Sequence, residues 1–248
     1  MKPMDDVLDD FLERLDDGKP FAISRWGDGE YRLLEKIPMM RTEGQVAHNK
    51  VWSYNPYNEY ELEASVRITD SLTYEHEDLF WGIPCPNCTV CNVSGKNYYE
   101  IYKNKENLTY ATLFVNANHE EVQRTLPQIL KDRKVIFVGN RDADFERLTF
   151  PIERHFKVGN NAWLHDYTII DDLKDYISNY AGELKLVFLF ACGPLSNYLI
   201  TEIWKENQDH FLLDIGSAFD VDLYGHSTRG FHGGKGGYGK FCEWDNTK

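Results

Sequence analysis

Hydrophobic positions along this chain follow two patterns, one typical of amphipathic helices and one typical of buried strands. Over residues 4–15 apolar side chains recur at helical spacing with Asp and Glu between them, and Gly18 is placed to end that helix. From Lys134 onward, uninterrupted apolar runs alternate with helical patterns; the runs cover 135–138, 186–190 and 212–215, and the helices cover 167–180 and 195–205. Because strands without polar alternation are typical of sheets covered on both faces, we predict an α/β fold with a Rossmann-like, mostly parallel sheet and helices on both faces.

The first half of the chain has a more mixed pattern. An apolar run at 21–23 predicts a short strand, and further elements are predicted as strands at 79–83 and 112–115 and helices at 31–36, 57–72 and 120–131, the last bent or broken near Pro127. We interpret the 248 residues as one domain, in which an aromatic- and cysteine-rich stretch at about 37–110 could be an insertion. Its aromatic side chains, Trp52 among them, fit either a hydrophobic core or a shelf that stacks on a sugar ring.

The stretch FAISRWGDGE, residues 21–30, carries the strongest chemical signal. Asp28 and Glu30 are spaced i, i+2 in a turn that glycines make tight, so both carboxylates can face one hard cation. Arg25 adds positive charge beside them. A divalent ion held by only two carboxylates keeps coordination positions open for phosphate oxygens. The stretch therefore predicts Mn²⁺ or Mg²⁺ at Asp28 and Glu30, together with a nucleotide diphosphate.

Two other stretches carry motif-like spacings. Residues 142–146, DADFE, follow a predicted strand and rival Asp28 and Glu30 as the metal site. The glycines and the arginine beside Asp28 and Glu30 favour the first motif, and a solvated acidic turn is the alternative interpretation of both. Residues 234–240 match the spacing G-x-x-x-x-G-K, but Phe241 stands where a P-loop needs Ser or Thr for its magnesium ion, and no apolar strand precedes it. We therefore exclude an ATPase of the P-loop type.

Cysteines at 85, 88 and 91 form one Cys-x-x-Cys-x-x-Cys run. Three thiolates and a histidine such as His76 could hold a structural zinc ion, yet structural zinc sites usually draw on two separated pairs. A redox role and ordinary buried or surface thiols remain the alternatives for Cys85, Cys88 and Cys91.

The hexapeptide Arg-Trp-Gly-Asp-Gly-Glu after a short strand resembles the D-x-E signature of the GT-D-fold glycosyltransferases. Later segments are similar in order and type, at 135–140, 159–163, 188–196 and 213–220. The resemblance implies a GT-D-like fold and a metal-dependent enzyme that transfers a sugar from a nucleotide diphosphate sugar, foremost a UDP-sugar, to a hydroxyl of a glycan or glycoconjugate acceptor. It also implies that Asn161 lines the donor site, and Asp220 corresponds to the family's aspartate after a D-I-G segment.

Small and polar residues follow each predicted strand, at the edge where parallel sheets bind ligands. The predicted donor-binding residues are Ser24, Arg25, Gly27, Gly29, Gly139, Asn140, Asn161, Gly193, Pro194, Ser196, Asp214, Gly216, Thr228 and Arg229. Thr228 and Arg229 belong to a basic, glycine-rich tail that could close over the phosphates. The predicted catalytic residues are Asp28, Glu30 and Asp220, the last as a candidate general base for the acceptor hydroxyl.

Composition narrows the class of protein. The net charge of −13 argues against a general affinity for nucleic acid or anionic lipid. No apolar run is long enough to span a membrane, and the first residues lack a signal-peptide pattern, so we expect a cytoplasmic protein with reduced thiols. Two alternatives stay open: a metal-dependent phosphohydrolase or nucleotidyltransferase that uses the same carboxylates, and a non-catalytic nucleotide- or carbohydrate-binding module.

Overall fold

A computed structural model describes residues 4–39, 52–85, 92–102 and 105–233. Its centre is a seven-stranded sheet with the strand order β3-β2-β1-β7-β6-β4-β5. The strands are β1 Ala22–Arg25, β2 Leu79–Ile83, β3 Leu108–Tyr110, β4 Lys134–Asn140, β5 Arg154–Val158, β6 Leu186–Ala191 and β7 Phe211–Asp214. Every strand pair in the sheet is parallel, so all seven carboxyl ends meet at one edge.

Nine α-helices accompany the strands in the described ranges. They are α1 Met4–Asp16, α2 Asp28–Leu34, α3 Glu59–Asp70, α4 Asn92–Tyr102, α5 His119–Leu130, α6 Ala162–His165, α7 Ile169–Ser178, α8 Pro194–Glu206 and α9 Asp220–Tyr224. Successive residues of β4, β6 and β7 are buried, and successive side chains of a strand point to opposite faces. Both faces of the central sheet are therefore covered, which confirms the predicted α/β class.

Three local predictions need correction. The helix expected at 31–36 begins earlier, at Asp28, so the two motif carboxylates belong to its first turn. Residues 112–115 are turns and not a strand; the third strand is Leu108–Tyr110. Of the two outcomes expected near Pro127, a break is wrong, because α5 is one helix from His119 to Leu130 with Pro127 inside it.

The stretch 37–110 supplies β2 and β3 to the common sheet, and its interpretation as an insertion stays a prediction.

Some predictions fall where the structure describes nothing. Cys88 and Cys91 lie outside the described residues, as do residues 234–240 with the G-x-x-x-x-G-K spacing. Cys85 is buried at the end of β2. Across the described ranges, no helix combines the length and the apolar character needed to cross a bilayer.

Candidate functional site

A cleft of about 910 Å³ lies at the carboxyl edge of the sheet. Its walls come from the segments that follow all seven strands, together with Trp52. Parallel α/β sheets bind ligands at this edge. The predicted site residues that line the cleft are Arg25, Gly27, Asp28, Gly29, Glu30, Asn140, Asn161, Gly193, Asp214, Gly216, Asp220, Thr228 and Arg229.

Four predicted binding residues are buried and are not part of this lining. The Ser24 hydroxyl accepts hydrogen bonds from the Trp26 indole N–H at 3.2 Å and from Asn197 Nδ2 at 3.0 Å. Gly139 leaves room for a neighbouring ring, because a Cβ atom there would lie 2.4 Å from Phe137 Cε1. Pro194 and Ser196 are buried in the first turn of α8. None of the four therefore borders the cleft, and their predicted part in donor binding stays a prediction.

Asp28 and Glu30 occupy different positions in the first turn of α2. Glu30 Oε2 accepts a hydrogen bond from the backbone N–H of Gly27 at 2.9 Å, so this side chain curls back and caps the helix. Asp28 is exposed in the cleft. Side chains two residues apart in a helix point to different sides, so the first turn of α2 does not by itself direct both carboxylates at one ion.

Arg25, the last residue of β1, brings a positive charge to the base of the cleft. Its backbone N–H donates to Asp214 Oδ2 at 3.2 Å, and its guanidinium lies against Gly216, where a Cβ atom would be only 2.9 Å from Nη1. Within the described part of the chain, the buried Nε and Nη1 atoms of Arg25 have no hydrogen-bond partner. Buried charged donors normally have acceptors, so these atoms call for an anionic ligand.

Carboxylates around this arginine carry raised pKa values. Burial, together with the negative charges of Asp214 and Asp28, raises the pKa of Glu30 to about 7, while backbone N–H groups oppose the rise. Burial also raises the pKa of Asp214 to about 6, while the Arg25 charge and backbone N–H groups oppose that rise. Two carboxyl groups whose ionised forms are disfavoured by burial therefore lie at the exits of β1 and β7, and the Arg25 charge favours the ionised form of Asp214.

The metal expectation can be tested against this donor set. The described residues contain no group of three or more His, Cys, Asp or Glu side chains that could hold a metal ion. Mg²⁺ and similar ions are often bound by one or two carboxylates, with phosphate and water oxygens completing the shell. Asp28 and Glu30 both line the cleft and could supply one or two ligands in that smaller role.

Trp52 forms a wall between the starts of α2 and α8. A Cβ atom on Gly29 would lie 2.6 Å from Trp52 Cζ2, and one on Gly193 would lie 3.4 Å from Trp52 Cδ1. The indole packs edge-on against Trp163, at 6.2 Å between ring centroids. Gly193 has φ +60 and precedes α8, whose N-terminal N–H groups favour anions. Trp52 therefore separates two helix N-termini that border one cleft.

Asn161 has a structural partner in this wall. Its Oδ1 accepts a hydrogen bond from the Ser53 backbone N–H at 2.7 Å, which fixes the segment that carries Trp52. Asn140 also uses its side-chain oxygen locally, accepting from the Asp142 N–H at 2.9 Å. Each side chain also carries an amide nitrogen that can donate hydrogen bonds, and both residues line the cleft.

On the opposite side, α9 and the segment after it supply Asp220, Thr228 and Arg229. The Thr228 hydroxyl donates to Asp220 Oδ2, and the Arg229 guanidinium donates to the Thr228 carbonyl at 3.1 Å. Burial raises the pKa of Asp220, while the Thr228 hydrogen bond and the Arg229 charge oppose the rise. The structure thus brings together all three residues predicted from this part of the sequence.

The competing acidic stretch at 142–146 is mostly outside the cleft. Asp142 lies in its lining, but Asp144 and Glu146 do not. Asp144 Oδ1 accepts the backbone N–H of Glu146 at 3.0 Å, so this carboxylate shapes a turn.

Two residues outside the predicted set also shape the cleft. Asn197 in α8 donates from Nδ2 to the Arg25 carbonyl at 2.8 Å, and His232 bonds the loop after β7. These hydrogen bonds join residues that are far apart in the sequence, so no local motif could have predicted them. Trp52 was recognised in the sequence only as one aromatic residue among many.

Two solved structures have a similar fold, each aligned over 86% of this chain and 79% of its own length with a TM-score of 0.53. The first, 14% identical in sequence, is described as a highly conserved domain of unknown function 1792 with a distinct glycosyltransferase fold. The second, 15% identical, is a selenomethionine-substituted structure of domain of unknown function 1792. No protein-family model matches the chain, and no curated protein matches it. At such identity the likeness establishes the fold, and function is argued from the cleft.

Proposed function

We propose that this protein is a glycosyltransferase that takes a sugar from a nucleotide diphosphate sugar, with a UDP-sugar as the first candidate, and transfers it to a hydroxyl of a glycan or glycoconjugate. The observation that carries the proposal is Arg25, whose buried Nε and Nη1 atoms have no hydrogen-bond partner among residues 4–39, 52–85, 92–102 and 105–233, and which lies beside the carboxylates of the first motif. A diphosphate would satisfy these donors and balance their charge. The fold shared with a domain described as having a glycosyltransferase fold supports the reaction class.

In this reaction the acceptor oxygen bonds to the anomeric carbon while the bond from that carbon to the diphosphate breaks. Asp220 would take the proton of the acceptor hydroxyl, a role for which a raised pKa is suitable. Arg25 and Arg229 would offset negative charge on the departing diphosphate. Asp28 and Glu30 would hold Mn²⁺ or Mg²⁺, which supplies further positive charge at that position when bound.

The test is calorimetry and thermal unfolding with UDP-, GDP- and dTDP-sugars, each with and without Mn²⁺. A ligand that binds only the folded state raises its apparent stability by mass action. We expect one nucleotide-sugar to bind in a metal-dependent manner, and Asp28→Asn with Glu30→Gln to abolish the metal-dependent part. Arg25→Gln should weaken binding on the order of tenfold or more, because charge-assisted contacts to phosphate are lost.

The matched control is Asp144→Asn with Glu146→Gln, which removes two carboxylates at the same spacing outside the cleft. Binding should be unchanged in this control. If the affinity for the nucleotide-sugar changes neither with Mn²⁺ nor with the substitutions at Asp28 and Glu30, the proposed metal site is wrong. Turnover that yields only free phosphate or pyrophosphate would favour a phosphohydrolase or nucleotidyltransferase, and binding without turnover would favour a binding module.

A further inference from the structure

Residues 226–232, here called the strap, follow α9 and supply several residues to the lining of the cleft, Thr228 and Arg229 among them. The Thr228 hydroxyl also donates to Asp220. The strap packs against the loop that leaves β7, residues 215–219. The position of Thr228 and Arg229 in the cleft therefore depends on how the strap is attached to this loop.

The attachment runs through the ring of His232. Its Nδ1 atom faces the backbone N–H groups of Thr228 and Arg229, at 3.1 and 3.2 Å. Its Nε2 atom faces the Ser217 carbonyl oxygen at 2.9 Å. A carbonyl oxygen can only accept and a backbone N–H can only donate, so Nε2 carries the proton and Nδ1 is bare. The geometry fits the neutral Nε2–H tautomer and no other form of this ring.

A second histidine holds the same loop. His119 in α5 places Nε2 3.0 Å from the Ala218 carbonyl, the residue after Ser217. The Phe231 ring packs against both imidazoles, at 5.0 Å from His119 and 4.5 Å from His232 between centroids. Burial lowers the pKa of His119, which favours its neutral form as well. The loop is thus clamped by two imidazoles and one phenyl ring.

We propose that His232 is a positioning residue that, as the neutral Nε2–H tautomer, fixes the strap against the loop after β7 and thereby presents Thr228 and Arg229 to the bound diphosphate. The identity of that ligand rests on the proposed function, but the attachment itself does not. Protonation of Nδ1 replaces an acceptor with a donor that faces two N–H groups. Acid should therefore release the strap.

Several charged or titratable groups surround the His232 ring. They are His119 in α5, Asp220 and Asp222 in α9, and Arg229 in the strap itself. None of these groups removes the geometric conflict that a proton on Nδ1 creates with the two backbone N–H groups, so protonation of His232 should weaken the attachment of the strap.

The first test measures the ring directly, on the full chain without ligand. Long-range ¹H–¹⁵N NMR at about pH 8 should show a protonated Nε2 and a bare Nδ1 for His232, since neutral histidine holds one ring proton. Hydrogen exchange should show that the backbone amides of Thr228 and Arg229 are protected at about pH 8. At about pH 5 the same amides should exchange faster, after correction for the pH dependence of the intrinsic exchange rate. The opposite tautomer, or unprotected amides at both pH values, would overturn the proposal.

Variants separate the two halves of the attachment. His232→Asn keeps an acceptor near Nδ1, His232→Gln keeps a donor near Nε2, and His232→Ala keeps neither. We expect amide protection to follow the order native, Asn, Ala, with exchange in the Ala variant faster on the order of tenfold. The matched control is His165→Ala, an exposed histidine outside the cleft, which should leave both amides unchanged. Unaltered protection in His232→Ala would contradict the proposal.

Calorimetry with UDP and Mn²⁺ links the strap to ligand binding. His232→Ala should weaken UDP by about fivefold to tenfold while His232→Asn recovers part of the loss, and in turnover assays KM for the donor should rise more than kcat falls. If the native chain does not bind UDP, the proposed donor class is wrong, and the NMR and exchange data still decide the role of His232. If UDP binds equally to native and Ala variants, the strap does not position the ligand-binding residues.

Discussion

Arg25 keeps its guanidinium in the cleft because the loop after β7 has no side chain at Gly216. A Cβ atom there would lie 2.9 Å from both Nη atoms of Arg25 and 3.1 Å from Cζ. The backbone at Gly216 also has φ +52, in the region that favours glycine. Gly216 thus allows the backbone to turn and leaves room for the Arg25 guanidinium, which we propose binds the diphosphate.

Gly216→Ala should therefore lower both stability and ligand affinity. The left-handed backbone costs a non-glycine residue about 1 kcal/mol, and the new methyl group must push the guanidinium aside. The matched control is Gly18→Ala, which has φ +70 but places its Cβ atom 4.0 Å from the nearest Arg133 atom, far from the cleft. Urea unfolding should show a similar loss in both variants, whereas calorimetry with UDP and Mn²⁺ should show weaker binding only for Gly216→Ala. Equal affinities in the two variants would refute the link between Gly216 and Arg25.

Single residues also mark the limit of what the sequence predicts about the site. The end of each apolar run identified where Arg25, Asp214 and Gly216 would lie, because parallel strands end at a common edge. It could not tell lining residues from buried ones, since neighbouring side chains of a strand point to opposite faces. Ser24 was for that reason predicted beside Arg25 as a binding residue, although it is fully buried under the cleft.

Between elements, Asn197 connects α8 to β1. The side chain is fully buried, and its Nδ2 donates to the Ser24 hydroxyl at 3.0 Å and to the Arg25 carbonyl at 2.8 Å. Helix α8 packs on β1 and β7, so this amide joins the helix that begins at the cleft to the strand that ends there. Its loss would leave a buried carbonyl and a hydroxyl with fewer partners.

We expect Asn197→Ala to lower the free energy of unfolding by about 2 to 3 kcal/mol, the usual cost of unsatisfied buried groups plus a small cavity. The matched control is Thr201→Val one turn later, which removes only a hydroxyl that donates to the Asn197 carbonyl at 2.9 Å within the same helix. That change should cost less than about 1 kcal/mol. Both free energies of unfolding can be measured by urea denaturation. Equal losses in the two variants would show that the hydrogen bonds from Asn197 to β1 do not contribute more to stability than the bond within α8.

The elements themselves were predicted with uneven success, for a physical reason. The apolar runs near 135, 186 and 212 are strands, as predicted. Strands that are buried on both faces appear in the sequence as uninterrupted apolar runs, which makes them easy to recognise. Residues 112–115 have the same apolar character, and Leu113, Phe114 and Val115 are indeed buried, but the backbone there turns. A hydrophobic pattern predicts which residues are buried but not whether their backbone is extended. The strand was therefore predicted at 112–115, and the short edge strand Leu108–Tyr110 was missed.

Over the whole molecule, the two edges of the sheet differ in their titratable groups. The carboxyl edge holds the acidic cleft, whereas His210 is buried at the amino edge, next to the start of β7. Its Nδ1 accepts the backbone N–H of Leu186, the first residue of β6, at 3.4 Å. Burial lowers the pKa of His210, so its neutral form is preferred in the folded protein.

Acid should consequently destabilise the fold through His210. Because the folded pKa lies below the unfolded one, its contribution is complete above the unfolded value of 6.5 and is lost as pH falls through the folded pKa. His210→Asn keeps an acceptor for the Leu186 N–H but cannot take up a proton, so the fall in unfolding free energy between about pH 7 and about pH 5 should be smaller than in the native chain. His165→Asn changes an exposed histidine and should leave that fall unchanged. Urea denaturation across this range measures all three, and equal slopes for the native and His210→Asn chains would show that protonation of His210 does not limit acid stability.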